Sequence, residues 1–325
     1  MTSDPPAPGA KPAQGRKKRG RPINGWLVVD KPSGPSSTQV LGKVRWLLQA
    51  AKAGHGGTLD PIATGVLPIA FGEATKTVAW AMEGDKTYRF RIRWGEERDT
   101  DDCAGAVTVT SPLRPSAAEI QAALPRFLGE IEQMPPRYSA LKIDGERAYA
   151  LARAGEEVVL EPRLVWIERF DLLECPDPDH ADFEVRCGKG TYMRALARDL
   201  ARMLGTVGHV TVLRRLAVGR FTLEHAISLD ELTALGQGAV IDDRLLPVET
   251  ALDDIPALAV TAVEAQRLRQ GQPVVLMRRQ DLERLQELLE ETGDDTVALA
   301  KSGSTPVALV RVEGGEVRPV RVLNL

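Results

Sequence analysis

Residues 54–68 read Gly54-His55-Gly56-Gly57-Thr58-Leu59-Asp60-Pro61-Ile62-Ala63-Thr64-Gly65-Val66-Leu67-Pro68. Four glycines in fifteen residues weaken a segment unless its backbone needs unusual dihedrals or a close approach to something. Pro61 pushes Asp60 towards an extended conformation. Asp60 is therefore a lone carboxylate on a stiffened loop, between apolar Leu59 and Ile62. Such a carboxylate suits a nucleophile or a base. Bonding of local amides in a turn is the commoner task of an aspartate, and spacing alone leaves both roles open.

Other chemistries lack their residues. Gly72-Glu73-Ala74-Thr75-Lys76-Thr77 and Cys187-Gly188-Lys189-Gly190-Thr191 each mimic part of a phosphate loop, and both fail the full pattern. No Gly-x-Gly-x-x-Gly follows a strand, and no Gly-x-Ser-x-Gly elbow is present. His55, His180, His209 and His225 form no helical metal pair. Cys103, Cys175 and Cys187 are an odd number without hook spacing, which argues against a disulfide framework or a zinc site. The acids of Arg98-Asp99-Thr100-Asp101-Asp102-Cys103 lack the glycine and glutamate of a calcium loop. Asp99 is expected to support an arginine or backbone groups. Neither a cofactor nor a metal is expected.

A chain of 325 residues suits two domains, or one large domain with an appendage. Its 43% hydrophobic and 27% charged residues are those of an ordinary globular protein. No apolar run approaches the roughly 18–20 residues of a membrane span. The first residues lack the apolar stretch of a secretory signal, so a cytoplasmic location is expected. Residues 1–24 carry six lysines and arginines against Asp4 alone, whereas the whole chain has a net charge of −3. A basic arm on an acidic body suits a polyanionic partner, and a solubilising tail accounts equally well for the charge.

The elements that must present Asp60 can be read coarsely. Residues 1–23 read as a disordered basic tail. Trp26–Val29 reads as a short strand, and Ser37 as the cap of a helix running to about Ala51. Thr87–Trp94 alternates with period two, with Ala106–Thr110 expected as its partner. Ser116–Phe127 reads as an amphipathic helix. Residues 133–156, with Arg137, Lys142, Arg147 and Arg153, read as an extended excursion and a short helix. Leu164–Leu173 and Phe183–Cys187 read as strands, Thr191–Leu204 as a helix closed by Gly205, and Val210–Thr222 as strand-like. Short helical pieces follow over 228–250. Residues 251–325 read as a small β-rich unit, with strands at Ala257–Thr261, Thr296–Ala300, Val307–Val312 and Arg318–Val322 and a charged helix near 279–291. Together these predict an α+β fold with a mixed, largely antiparallel sheet.

The Gly54–Pro68 segment resembles the central motif of the TruB-type tRNA pseudouridine synthases. Asp30-Lys31-Pro32-Ser33-Gly34, Asp85-Lys86-Thr87-Tyr88, Gly188-Lys189-Gly190-Thr191-Tyr192-Met193-Arg194 and His209 through Leu213-Arg214-Arg215 resemble further motifs of that family, in the same order. The resemblance covers about residues 24–250, and residues 251–325 fit the family's small PUA-like RNA-binding domain. It implies a catalytic domain with an RNA-gripping insertion at about 133–156, and isomerisation of the uridine at position 55 in the tRNA T loop. The base would be flipped out of its stack, its glycosidic bond cut and a carbon–carbon bond made.

By this resemblance Asp60, Tyr88 and Arg194 are catalytic. Asp60 attacks the sugar, attacks the base or takes a sugar proton, and the sequence leaves the three open. Arg194 holds Asp60 ionised and oriented, and would sit at the third position of a helix capped by Thr191. Tyr88 stacks on the uracil and can take the C5 proton. His55 fills the space vacated by the base. Lys31 fixes the entry to the loop, Leu213 walls the pocket or packs in the core, and Lys189 contacts phosphate or supports the fold. Arg137 and Lys142 grip RNA through the insertion. The resemblance implies tRNA as partner and no cofactor; nothing in the sequence demands a protein partner or more than a monomer, and a tRNA-folding chaperone role stays open beside the chemistry. Deleting residues 1–23 is expected to weaken RNA binding and flatten its salt dependence, measured by titration across a salt series; an unchanged slope refutes a role for the tail in binding.

Overall fold

The computed structural model describes residues 20–139, 160–275, 297–313 and 316–325, and the backbone of 142–143 and 146–147. The tail up to residue 19, most of the insertion and the helix expected near 279–291 lie outside the described residues.

Alternation builds the centre of the molecule. In β4 (Lys86–Trp94), Phe90, Ile92 and Trp94 are buried. The intervening arginines project to the opposite face, where Arg91 pairs with Asp182 and Arg93 with Glu96. Around this strand lies a ten-stranded sheet. Its strands are β1 (Gly25–Lys31), β2 (Ala53–His55), β3 (Thr64–Phe71), β4, β7 (Gly129–Gln133), β10 (Arg163–Asp177), β11 (His180–Cys187), β12 (Gly208–Val218), β13 (Phe221–Thr222) and β14 (Ala226–Ser228). The main path runs β14-β1-β3-β12-β4-β11-β10-β7. Only β1–β14 and β3–β12 are parallel; the other pairs are antiparallel. The fold is thus mixed α+β with a largely antiparallel sheet, as the sequence predicts.

Three expectations change. The partner strands of β4 are β11 and β12, while Val107–Thr110 (β6) pairs instead with Glu96–Arg98 (β5) in a separate hairpin. All four residues of β6 are exposed, so they have no buried face to set against β4. Ser36, not Ser37, caps the helix α1 (Ser37–Leu47) through a capping box with Gln39. Ser37 is buried, and its hydroxyl goes elsewhere. The helix from Ser116 keeps α geometry only over Ala117–Ala123 and tightens to 3-10 geometry around Pro125.

A second sheet, in the order β15-β17-β18-β19-β16, comprises Ala257–Ala259, Val297–Ser302, Thr305–Glu313, Glu316–Val322 and Val274–Val275 in that spatial order. It has its own core around Leu268, Ala298, Val307 and Val310. It also packs onto the large sheet: Leu299, Leu309 and Leu323 share a buried cluster with Trp26 and Phe221. Lys76 donates to Val322 O at 2.7 Å, and the Asn324 amide donates to Glu73 at 2.7 Å.

The contact of β3 with β12 sets the position of everything that follows. Gly65 has φ +102°, and a Cβ there would lie 2.1 Å from the carbonyl oxygen of Arg215. Gly34 also has positive φ, +106°, with nothing within 4 Å of the added atom. Gly65→Ala is expected to cost roughly 4 kcal/mol or more, because two backbones must separate. Gly34→Ala is expected to cost about 1–2 kcal/mol of backbone strain alone. Urea unfolding of the two variants measures this; equal losses would show that the close approach is unimportant.

Candidate active site

The Asp60 loop is built from outside itself. Arg215 donates to Gly57 O at 3.2 Å and to Thr58 O at 3.5 Å. The buried Ser37 hydroxyl accepts from the Leu59 amide at 2.8 Å and donates to Leu59 O at 3.0 Å. Lys31 Nζ donates to Pro61 O at 3.2 Å, Ala63 O at 2.7 Å and Pro32 O at 2.9 Å. The Gly34 amide adds a bond to Pro61 O, and the Ala63 amide bonds Asp60 O across the turn. Five carbonyls around Asp60 are thus held by residues outside the loop, which leaves the loop backbone little freedom. The Asp60 side chain is itself 35% exposed.

Arg194 reaches Asp60 from the Met193–Met203 helix. Its Nε lies 2.9 Å from Asp60 Oδ2 and 3.8 Å from Asp102 Oδ2. Its two terminal nitrogens donate to Thr100 O and Tyr138 O, both at 2.9 Å. Only 4% exposed, this guanidinium has every nitrogen occupied and a single orientation. The helix starts one residue later than expected: Tyr192, without a side-chain cap bond, occupies the cap position, so Arg194 is the second helical residue. Thr191 bonds Gly188 O instead. Gln133 binds both the amide and the carbonyl of Tyr192, which ties the helix start to β7. One turn on, Arg198 pairs with Asp101 at 2.9 Å and donates to Met134 O.

Between these elements lies a cavity of about 270 Å³, lined by Asp60, Arg194, Tyr88, Lys86, Leu213 and Arg215 among others. Tyr88 reaches it from β4; burial pushes its phenol pKa up, and the neighbouring Arg215 pulls it back. Lys86 donates to Met82 O and Gly84 O, which close the helix Val78–Glu83 (α2). Burial pulls its amine down to about 8, with Arg215 acting in the same direction. Burial likewise pulls Lys31 down to about 8, with Asp60 pulling it back and Arg215 adding to the depression.

Asp60, Tyr88, Arg194, Leu213 and Lys189 therefore meet at one cavity. Leu213 also packs in the core behind it, so both of its expected roles coincide. Lys189 is on the rim, 65% exposed and paired with Glu83. Lys31 lies under the loop and is fully buried. His55 sits half-buried on β2, opposite Ile69, and does not line the cavity. Arg137 is exposed and lines a second, open depression beside Arg198. The Lys142 backbone pairs with Arg147 in a short hairpin, and its side chain lies outside the described residues. Asp99 accepts from the Ala106 amide and so supports backbone, whereas the arginine is met by Thr100 and Asp102. Sequence reasoning missed Ser37, Lys86, Thr100, Tyr138 and Arg215 as site-builders. Lys86 and Arg215 stand inside motifs of the resemblance without a role of their own, Ser37 reads as a cap, and nothing marks Thr100 or Tyr138. Among the described residues, no three His, Cys, Asp or Glu side chains converge as metal ligands. No helix of the described residues is long and apolar enough to cross a membrane.

A carboxylate held by a buried arginine thus shares a cavity with a tyrosine on a mixed, largely antiparallel sheet. Residues 45–193 match the N-terminal domain model of the TruB family pseudouridylate synthases, and residues 194–253 match the tRNA pseudouridylate synthase B C-terminal domain model. The chain belongs to the TruB family. It is 54% identical to the tRNA pseudouridine synthase B of Rhodospirillum rubrum over 310 residues, covering 95% of this chain and 99% of that protein. It is also 54% identical to that of Bradyrhizobium diazoefficiens over 331 residues, covering 100% and 92%. Among solved structures, a Cbf5–Nop10–Gar1 complex matches with a TM-score of 0.68 at 23% identity, over 92% of this chain and 84% of that one. At that identity the likeness concerns the fold.

The buried amine of Lys86 makes stability depend on pH. It holds its proton up to about pH 8 in the folded chain and up to 10.5 in the reference state. Between these values the unfolded chain binds more protons, so stability rises with pH. Burying the charge therefore destabilises the fold fully below about pH 8, and this is lost by 10.5. Relative to Lys86→Met, the wild-type chain is expected to gain unfolding free energy across that window, read by urea unfolding. A constant difference refutes it.

Proposed function

We propose that the chain isomerises uridine to pseudouridine in tRNA, at position 55 of the T loop. The observation that carries this reading is the Asp60–Arg194 pair, 2.9 Å apart at the mouth of a cavity that also holds Tyr88. The relatives named tRNA pseudouridine synthase B, matched over nearly their whole length, support the substrate. The reaction balances without an outside reagent: the bond from C1′ to N1 breaks, a bond from C1′ to C5 forms, C5 loses its proton and N1 gains one. It is redox-neutral, so it calls for no electron-carrying cofactor.

In this reading the target base is flipped out of the T loop, since its reacting atoms are inaccessible in the stack. Asp60 acts on the sugar or the base, and Arg194 keeps it aimed. Tyr88 stacks on the uracil and is placed to receive the C5 proton. Leu213 packs against the base, Lys189 contacts backbone phosphate at the rim, and Lys31 holds the entry to the loop. His55 fills the gap left in the T loop. Arg137 and Lys142, on the 133–156 insertion, grip the stem, and residues 251–325 form a PUA-like RNA-binding domain beside the catalytic domain of 24–250. The enzyme works as a monomer in the cytoplasm, without a guide RNA or protein partner.

Asp60→Asn is expected to lower conversion of a T-stem-loop RNA by more than about 10³-fold. RNA affinity should stay close to wild type, because RNA is held mainly through backbone and loop shape. Mapping pseudouridine by position, with binding measured in parallel, tests both. Conversion by the variant, or failure of wild type to convert the T-loop uridine without a guide, refutes the reading.

A further inference from the structure

Arg215 stands between the two halves of the candidate site. It is on β12, in register with Tyr88 of β4 on one side and Gly65 of β3 on the other. Its residue is 1% exposed, yet it contributes to the cavity wall. The guanidinium donates to Val66 O at 2.8 Å, Gly57 O at 3.2 Å and Thr58 O at 3.5 Å. It thus holds the chain both before and after Asp60. It also faces the Tyr88 phenol, which it biases towards the ionised form.

Among the described residues, no carboxylate forms an ion pair with Arg215. Removing an arginine from water without a countercharge is costly, and a neutral group could hold backbone carbonyls more cheaply. The charge is retained on a cavity wall that also carries Lys86, Lys189 and Arg194, with Asp60 as its single acid. We propose that Arg215 is a positioning residue for the reaction. Resting on the activity proposed above, the role is to lock the Gly57–Val66 loop so that Asp60 is presented to the sugar and base in register with Tyr88. Lysine is not equivalent, because Nε, Nη1 and Nη2 each meet a different carbonyl, and a single ammonium does not reproduce that fixed fork.

The test is single-turnover conversion of a T-stem-loop RNA by Arg215→Lys, at a temperature where its circular dichroism shows it folded, beside RNA affinity. A displacement of Asp60 by about an ångström is expected to slow conversion about 100-fold. RNA affinity should stay within about threefold of wild type, since Arg215 offers no exposed surface to phosphate. A rate within about threefold of wild type overturns the proposal, as does a loss of affinity that accounts for the whole loss of rate. Should Arg215→Lys not fold, Gly57→Ala strains the backbone whose carbonyl Arg215 holds. Its Cβ would lie 3.5 Å from Arg215 Nη1, at a backbone φ of +115°. The same split between rate and affinity is expected, and an unchanged rate overturns the role. Failure of wild type to convert the RNA is a separate result, which overturns the activity and not the clamp alone.

Discussion

Three side chains, Lys31, Ser37 and Arg215, bond the carbonyls of the Asp60 loop, and the site depends on those bonds. A glycine-rich loop offers many backbone conformations, and an unheld one would scatter the carboxylate across them. The constraint is supplied by two buried cations and one buried hydroxyl rooted in β1, α1 and β12. Each comes from an element whose own position is set by core packing. Precision at Asp60 is therefore inherited from the sheet rather than generated locally.

The same arrangement explains the topology around the loop. β3 lies between β1 and β12, so the chain leaving Asp60 is flanked by the strands carrying Lys31 and Arg215. Gly65 allows β12 to approach β3 closely enough for the Arg215 guanidinium to reach back to Gly57. Arg214, next along β12, points the other way and pairs with Asp30 at 2.7 Å, which locks β12 to the end of β1. Alternation along one strand thus gives one arginine to the loop and one to the frame.

Much of this was legible from residue types. The glycine spacing, Pro61 and the lone carboxylate marked the loop, and the period-two pattern of residues 87–94 marked the strand bearing Tyr88. The errors share a cause. Val107–Thr110 has strand composition, but its partner depends on which face is buried, and that is a tertiary property. Ser36 and Ser37 are equally good caps by type; Ser37 is withdrawn by its bonds to Leu59, twenty-two positions away. Arg215 is visible as the end of a motif, but its task is not. Its contacts with Gly57 and Thr58 span more than 150 positions, beyond any local pattern.

The pairing of Asp60 with Arg194 leaves more of the carboxylate free than a two-pronged bridge would. A fork-to-fork pair would occupy both carboxylate oxygens and spend them on structure. Here the guanidinium gives Asp60 only Nε, against Oδ2, and directs its two terminal nitrogens to the carbonyls of Thr100 and Tyr138. Among the described residues, Oδ1 takes no hydrogen bond, and the carboxylate keeps about a third of its surface open. One oxygen is thus anchored, and the other has no hydrogen bond among the described residues. The reaction proposed for Asp60 uses both: a fixed direction, and an oxygen with no partner to give up first.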